Sequence, residues 1–131
     1  MAKELLGRGM GASPGMATGH IVFHSADAVA LAADGKPVIL VRIETTPEDV
    51  PGMKVAAGIL TTRGGITGDA AIVARSLGKA CIASCSQLRV DYTNGGSLTV
   101  LRDSMGTASD LVLVKGSLMT INGGTGEIWA E

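Results

Sequence analysis

Residues 59–85, ILTTRGGITGDAAIVARSLGKACIASC, decide the fold. Ile59-Leu60-Thr61 is a brief apolar run typical of a buried strand, and Asp69–Leu77 predicts a helix that Gly78 ends. Cys81–Ala83 predicts another short strand. A glycine-rich turn that leads into a helix presents free backbone N–H groups and the positive end of the helix dipole, an arrangement that binds anions and phosphoryl groups. By spacing alone, however, a Gly-Gly pair before a helix is more often a plain turn.

Upstream of this stretch the pattern predicts a strand, a helix and a strand. Gly19–His24 alternates as a strand, Ala26–Ala33 is compatible with a helix, and Pro37–Arg42 is a continuous apolar run suited to a buried strand. Thr46, followed by a proline and two acids, predicts a helix start. The opening glycine-rich segment, Gly7–Gly19, is predicted to be irregular.

Downstream, short β-type runs separated by glycine and asparagine replace the helical periodicity: Leu98–Leu101, Leu111–Lys115, Leu118–Ile121 and Glu127–Trp129. Asn122-Gly123-Gly124 is typical of a hairpin turn. We therefore expect an α/β fold, with α/β units in the middle and an antiparallel set formed by the ends, in a single domain over residues 1–131.

Composition excludes several classes of function. The formal charge is −1 and the sequence has no run of Lys or Arg to neutralise a nucleic-acid backbone, so nucleic acid is not an expected partner. Its apolar stretches are too short for a membrane span and its start has no signal-peptide core, so we expect no membrane partner and a cytoplasmic location.

Cys81 and Cys85 form a C-x-x-x-C pattern, which is a poor signature for a zinc or redox site. We therefore expect two buried or half-buried thiols.

The 59–85 stretch resembles the signature of the mobile domain of phosphoenolpyruvate-utilising enzymes, in which Gly-Gly-x-Thr-Ser-His-Ala-Ala-x-x-Ala-Arg surrounds a phosphohistidine. The resemblance is to the pyruvate phosphate dikinase kind and covers nearly the whole chain. It extends to GRGMGASPGMATGHIVF, VILVRIETTPEDVPGM, GKACIASC and INGGTGEIW.

This resemblance implies a swivelling three-layer β/β/α domain, with a short parallel central sheet and a smaller antiparallel sheet. In the family, this phosphohistidine domain carries a phosphoryl group between a nucleotide-binding domain and a phosphoenolpyruvate/pyruvate-binding domain. Magnesium and ATP are expected only on those partner domains, in the same or another chain, and no cofactor is expected in this one. The family is therefore a phosphotransferase, but this chain alone is not expected to be catalytic.

Thr67-Gly68-Asp69 replaces the expected Thr-Ser-His, so Asp69 stands where the family has its carrier histidine. Histidine suits the role because a neutral imidazole nitrogen is nucleophilic and its phosphoryl adduct is labile. An aspartate can form an acyl phosphate, but its oxygen lies closer to the backbone, and misplacing a reacting atom by roughly 1 Å costs about a hundredfold in rate. We rank first a structural role for this carboxylate in the first turn of the helix. Imitation of the phosphorylated state's charge is the alternative.

The resemblance also assigns candidate residues around that position. Gly64, Gly65, Thr67 and Gly68 form the expected phosphoryl or anion loop. Thr67 matches the threonine at which plant members are regulated by phosphorylation, although with Asp69 that switch has nothing obvious to control. Arg75 belongs to the matched motif as a candidate phosphate contact, like Arg63 at the loop entrance; the simpler interpretation of each is a solvated arginine.

His20 and His24 lie at even spacing on a predicted strand, without a nearby Cys, Asp or Glu, so no metal site is predicted. Glu44, Glu48 and Asp49 are interpreted as loop and helix-start charges.

The sequence leaves three candidate functions open. The first is a phosphotransferase domain with an altered carrier residue, and the second is a non-catalytic regulatory or docking module for a phosphotransferase partner. The third is a small domain that binds an anionic metabolite at residues 64–68.

Overall fold

The strands and helices are given by a computed structural model that describes residues 4–63, 69–85, 87–101 and 111–130. The strands within these ranges are β1 (Glu4–Arg8), β2 (Met10–Ser13), β3 (Met16–Val22), β4 (Val38–Arg42), β5 (Gly58–Thr61), β6 (Ala80–Ala83), β7 (Leu88–Asp91), β8 (Ser97–Val100), β9 (Leu111–Val114), β10 (Leu118–Asn122) and β11 (Glu127–Ala130). The α-helices there are α1 (Ser25–Ala33), α2 (Val50–Val55) and α3 (Asp69–Leu77), and short 3₁₀ helices cover Pro47–Asp49 and Thr93–Gly95.

Eight strands form a mixed sheet in the order β1-β11-β10-β3-β4-β5-β6-β2. The four central strands, β3 to β6, are parallel, and the outer pairings are antiparallel. Strands β7, β8 and β9 form a smaller antiparallel sheet. The predicted combination of a short parallel central sheet and a smaller antiparallel sheet is thereby confirmed.

Alternation along β4 shows how the layers are held together. Ile39 and Val41 face a core shared with the small sheet, which contributes Leu98 and Val100. Val38 and Leu40 face the other core, which the helices fill with small or flexible side chains, namely Ala28, Met53, Ala70, Ala71 and Ala74. Both faces of the parallel strands are therefore covered, which explains their continuous apolar sequence. The layers are small sheet, main sheet and helices.

The main sheet curls, because its two edge strands are neighbours in sequence. Strand β1 is at one edge and β2 is at the other, and Gly9 alone separates them. The Gly9 N–H donates to Gly126 O (2.8 Å), and a Cβ at Gly9 would overlap Ile82 and Cys85. A glycine is needed there because the chain passes so close to β6.

Most elements predicted from local patterns are confirmed, including the 69–77 helix and its stop at Gly78, which has a φ of +69°. The prediction that Gly7–Gly19 is irregular was wrong, since this segment contains the end of β1, all of β2 and the start of β3. Strand β7 was also missed. Strands β1 and β2 form by pairing with distant strands, β11 and β6, so local sequence carries little signal for them.

Candidate functional site

The chain is fixed on the strand side of the glycine loop. Beyond the end of β5, the Thr62 N–H donates to Arg42 O (3.2 Å) and the Arg63 N–H donates to Ile43 O (3.1 Å). The Thr61 hydroxyl donates to Arg63 O (2.9 Å). The residue that precedes the loop is therefore held at the carboxyl ends of the parallel strands, where open α/β sheets bind their ligands.

Helix α3 begins at Asp69, so the residue that matches the carrier histidine opens the helix after the loop. Ala71 and Ala74 are fully buried against the main sheet. Because these side chains are small, the helix lies close to the main sheet. The predicted loop residues, Gly64, Gly65, Thr67 and Gly68, lie outside the described residues.

Arg75 lies in the last turn of α3, and its Nη1 donates to Ala12 O of β2 (3.1 Å). This bond ties α3 to an edge strand of the main sheet. Arg75 is six positions after Asp69, which is about 9 Å along a helix. A phosphate contact by Arg75 remains a prediction.

A cluster that sequence reasoning did not predict lies at the end of β4. The Arg42 Nη1 donates to Phe23 O (2.7 Å), and the guanidinium lies 4.2 Å from the centre of the Tyr92 ring. Arg42 Nε is 3.5 Å from Asp49 Oδ2, an ion pair without hydrogen-bond geometry. The Tyr92 hydroxyl accepts a bond from the Ile43 N–H (2.6 Å). The cluster joins β4 to the small sheet; its only sequence signal is an arginine that closes an apolar strand.

The acidic residues near Thr46 act partly as predicted. The Asp49 carboxylate accepts the Thr46 N–H (2.9 Å), as expected at a helix start. Asp49 is nevertheless buried and pairs with Arg42, so its charge also serves the cluster at the end of β4.

The prediction that His20 and His24 lie on one strand was wrong for His24. His20 lies in β3 with Nδ1 3.0 Å from Gly116 O, whereas His24 lies beyond the strand and precedes α1. His24 Nε2 is 3.2 Å from Tyr92 O. Over the described ranges, no three His, Cys, Asp or Glu side chains are grouped as metal ligands.

Cys81 and Cys85 are both buried free thiols, which confirms the prediction made for them. Burial raises the pKa of the Cys81 thiol to about 12, partly offset by the charge of Arg75. Burial, with a smaller effect from Cys81, raises the pKa of the Cys85 thiol to about 12. Since the thiolate is the reactive form, neither cysteine suits nucleophilic chemistry near neutral pH.

An apolar groove runs between α2 and α3. It is lined by Thr45, Thr46, Pro47, Val50, Met53, Ile72 and Val73. Ile72 is 53% exposed and lies three residues after Asp69, so the two residues share a helix face. We call this surface the α2/α3 groove.

None of the helices that the structure describes is long and apolar enough to cross a membrane.

Comparison with known proteins identifies the class of protein. A family model described as the mobile domain of PEP-utilising enzymes matches residues 34–126, which is most of the chain. This chain therefore belongs to the mobile-domain family of PEP-utilising enzymes.

Relatives that are similar over almost the whole of this chain are named pyruvate, phosphate dikinases. The chain is 51% identical over 125 residues to "Pyruvate, phosphate dikinase 2" of Oryza sativa subsp. japonica, covering 95% of this chain and 13% of the relative. It is 45% identical over 126 residues to "Pyruvate, phosphate dikinase" of Rhizobium meliloti, covering 96% of this chain and 13% of the relative. A solution NMR structure of Enzyme I is 20% identical, with a TM-score of 0.43, and the match covers 70% of this chain and 29% of that one.

Proposed function

We propose that residues 1–131 form a swivelling domain of the phosphoryl-carrier type, from a pyruvate phosphate dikinase-like phosphotransferase, that has lost histidine carrier chemistry. The observation that carries this proposal is that Asp69 opens α3, directly after the glycine-rich loop, in a chain 45% identical to a dikinase. A carboxylate there lacks the distal imidazole nitrogen and adds a negative charge near incoming phosphates. Its main role is to complement the amino terminus of α3.

Partners follow from this proposal. We expect nucleotide-binding and phosphoenolpyruvate/pyruvate-binding domains, in the same or another chain, with magnesium and ATP bound there and no cofactor on this domain. The chain spans 13% of the length of its Rhizobium relative, so that relative has ample chain for such domains. Cytoplasmic location remains our prediction for this chain, although an Arabidopsis thaliana relative, 46% identical, is named chloroplastic.

Phosphoryl transfer with separate partner domains tests the proposal. The domain is incubated with labelled phosphoenolpyruvate and the phosphoenolpyruvate-binding domain of a dikinase, and phosphorylated residues are mapped by mass spectrometry at neutral pH. We expect no label on the unchanged chain or on an Asp69→Asn control. We expect the Asp69→His/Gly68→Ser double variant to carry label at position 69.

Two results would contradict the proposal in different ways. Label on Asp69 of the unchanged chain would identify an acyl-phosphate carrier, so carrier chemistry would not be lost. A folded double variant that stays unlabelled, beside a dikinase carrier domain that is labelled under the same conditions, would count against the carrier-type assignment itself.

The α2/α3 groove favours a second candidate function, a non-catalytic module that docks onto such a partner domain. Ile72 exposes half of its side chain on the helix face that carries Asp69, so a partner that approaches position 69 would meet this apolar surface. Binding of the phosphoenolpyruvate-binding domain, followed by calorimetry, should be lost in Ile72→Asp. A matched control is Val29→Asp, because Val29 is 41% exposed on α1 and lies outside the groove. Equal loss in both variants would exclude the groove as the docking surface.

A further inference from the structure

Both asparagines of this chain lie in the same local sequence, Asn94-Gly95-Gly96 and Asn122-Gly123-Gly124. An asparagine before a glycine can lose its side-chain amide, because the backbone nitrogen of the next residue attacks the side-chain carbonyl carbon and glycine has no Cβ to hinder the approach. Since the two local sequences match, a difference in reactivity between the two sites must come from the fold.

Hydrogen bonds hold both reacting groups at Asn122. Its Oδ1 accepts the Gly124 N–H (2.9 Å) and the Thr125 N–H (3.2 Å). The nitrogen that would have to attack, Gly123 N, donates to Gly15 O (2.7 Å), and Gly123 is buried. An attack at Asn122 would break the bond to Gly15 and turn the carboxamide out of both others. The reaction there has to wait until the turn opens locally.

Asn94 is exposed in the turn between β7 and β8, and its backbone is left-handed, with a φ of 53° and a ψ of 41°. Over the described residues, its carboxamide makes no hydrogen bond. The space around Gly95 is open, since the heavy atom nearest to a Cβ placed there, outside its chain neighbours, would be Lys115 Cδ at 3.7 Å. Asn94 also lines a surface cleft of about 400 Å³, so water reaches it. The side chain can therefore approach the Gly95 nitrogen without losing a bond of its own.

We propose that Asn94 is a site of spontaneous deamidation and that the fold protects Asn122 from the same reaction. The Gly95 nitrogen forms a bond to Cγ of Asn94, the amide group leaves as ammonia with the proton of that nitrogen, and a succinimide ring results. Water then adds across one of the two ring C–N bonds, which gives either aspartate or isoaspartate. Water is the only co-reactant that the reaction consumes.

The isoaspartate product strains this turn. In isoaspartate the main chain runs through the former side chain and is longer by a carbon atom. Both ends of the turn are anchored: the Tyr92 hydroxyl accepts the Ile43 N–H (2.6 Å), and Gly96 is buried so close to Phe23 that a Cβ there would overlap the ring. The extra carbon therefore has to displace one of these contacts, which join the small sheet to the chain beyond β3 and β4. Aspartate leaves the length of the main chain unchanged.

Peptide mapping of the full chain by mass spectrometry, after incubation at physiological temperature and mildly alkaline pH, tests the site. We expect deamidation at Asn94 to be at least about tenfold faster than at Asn122, because Asn122 reacts only when its turn opens. In urea the two rates should become similar, since the local sequences match. Asn94→Gln, whose longer side chain closes a ring far more slowly, should leave this turn unmodified, and circular dichroism checks that the variant is folded.

Equal rates at the two asparagines of the folded chain would overturn the proposal, as would an unmodified Asn94 over a period in which the unfolded chain reacts. A difference that persists in urea would also overturn it, because sequence neighbours and not the fold would then set the rates. The isoaspartate form, separated by chromatography, should melt at a lower temperature than Asn94→Asp. Equal melting temperatures would contradict the strain inferred for the turn.

Discussion

Tyr92 is the side chain that joins the two sheets near the candidate site. Its hydroxyl accepts the Ile43 N–H, its ring lies under the Arg42 guanidinium, and its carbonyl is 3.2 Å from His24 Nε2. A single residue thus contacts the ends of β4 and β3 from the small sheet. The orientation of the small sheet depends on these contacts.

Removing the Tyr92 hydroxyl should destabilise the fold measurably. Tyr92→Phe keeps the ring over which Arg42 lies but leaves the half-buried Ile43 N–H without its acceptor, and the expected cost is about 1–2 kcal/mol in the free energy of unfolding. Urea denaturation followed by circular dichroism measures it. Tyr92→Leu, which also removes the cation–π contact, should cost more. A Tyr92→Phe chain as stable as the original would show that solvent replaces this bond.

The two buried thiols should make stability fall at alkaline pH. Their folded-state pKa values, about 12, lie above the ordinary value of 9.0, so burial favours the protonated form. Their contribution is fully present below pH 9.0 and is lost as pH rises from 9.0 towards about 12, because only the unfolded chain then ionises.

Comparison with a Cys81→Ala/Cys85→Ala variant isolates this effect. Urea unfolding at several pH values should show a shallower alkaline decline for the variant, since every other titrating group is shared. An identical slope in both proteins would mean that the thiols do not control alkaline stability.

At the scale of single residues, the sequence predicts what depends on near neighbours. Asp69 was expected to open a helix, and it does, because the glycine-rich sequence before it and the alanines after it act locally. The contact between Arg42 and Tyr92 joins residues far apart in sequence. It exists only because β7 ends beside β4, and β7 itself was not predicted. The cluster around Arg42 and Tyr92 could therefore not be predicted from the sequence.

At the scale of single elements, the turn between β10 and β11 is held by contacts with distant strands. Asn122-Gly123-Gly124 was predicted as a hairpin turn, and the two strands are indeed paired antiparallel. The tertiary role of the turn was not predictable: the Gly123 N–H donates to Gly15 O (2.7 Å), and the turn packs against β2 and β6. One hairpin therefore holds the opposite edge of the curled sheet.

An alanine at Gly123 should disturb that packing. Its Cβ would overlap Ser13 O and lie 2.9 Å from Cys81 N, both backbone atoms that cannot move independently. We expect Gly123→Ala to cost about 1–3 kcal/mol in the free energy of unfolding, measured by urea denaturation. The matched control is Gly124→Ala, where the nearest atom is the side-chain oxygen of Asn122 at 3.2 Å. Similar losses in both variants would show that turn conformation, not packing on β2, sets the cost.

For the whole molecule, the fold class was predictable and the closure of the sheet was not. Apolar runs and helix signals in the middle of the chain predict α/β units, whereas the three-layer order was implied only by the family resemblance. The curl of the sheet depends on where β1 and β2 pair, and their glycine-rich sequences resemble loops. Pairing of β1 with β11 also brings the two ends of the described chain together, with Glu4 opposite Ala130.

A circular permutant should therefore fold. Paired antiparallel residues have Cα atoms about 4.5–5.5 Å apart, so a short Gly-Ser linker joins residue 130 to residue 4 without strain. New ends are placed between Gly35 and Lys36, which are exposed and precede β4. We expect one cooperative thermal transition, with a stability loss below about 2 kcal/mol. A control permutant opened between Leu40 and Val41, inside buried β4, should not fold. Failure of both would mean that the order of connections matters to folding.

The pairing of β1 with β11 also determines how the fold responds to force. Because these strands are antiparallel and the outermost residues, Glu4 and Ala130, face each other, tension applied at the two ends acts across the strand pair. The backbone bonds between the strands then break one after another, as in unzipping, instead of together in shear. A pull that reaches this domain through its ends would thus meet little resistance from β1 and β11, whereas the buried parallel strands behind them would remain unloaded until those two had separated.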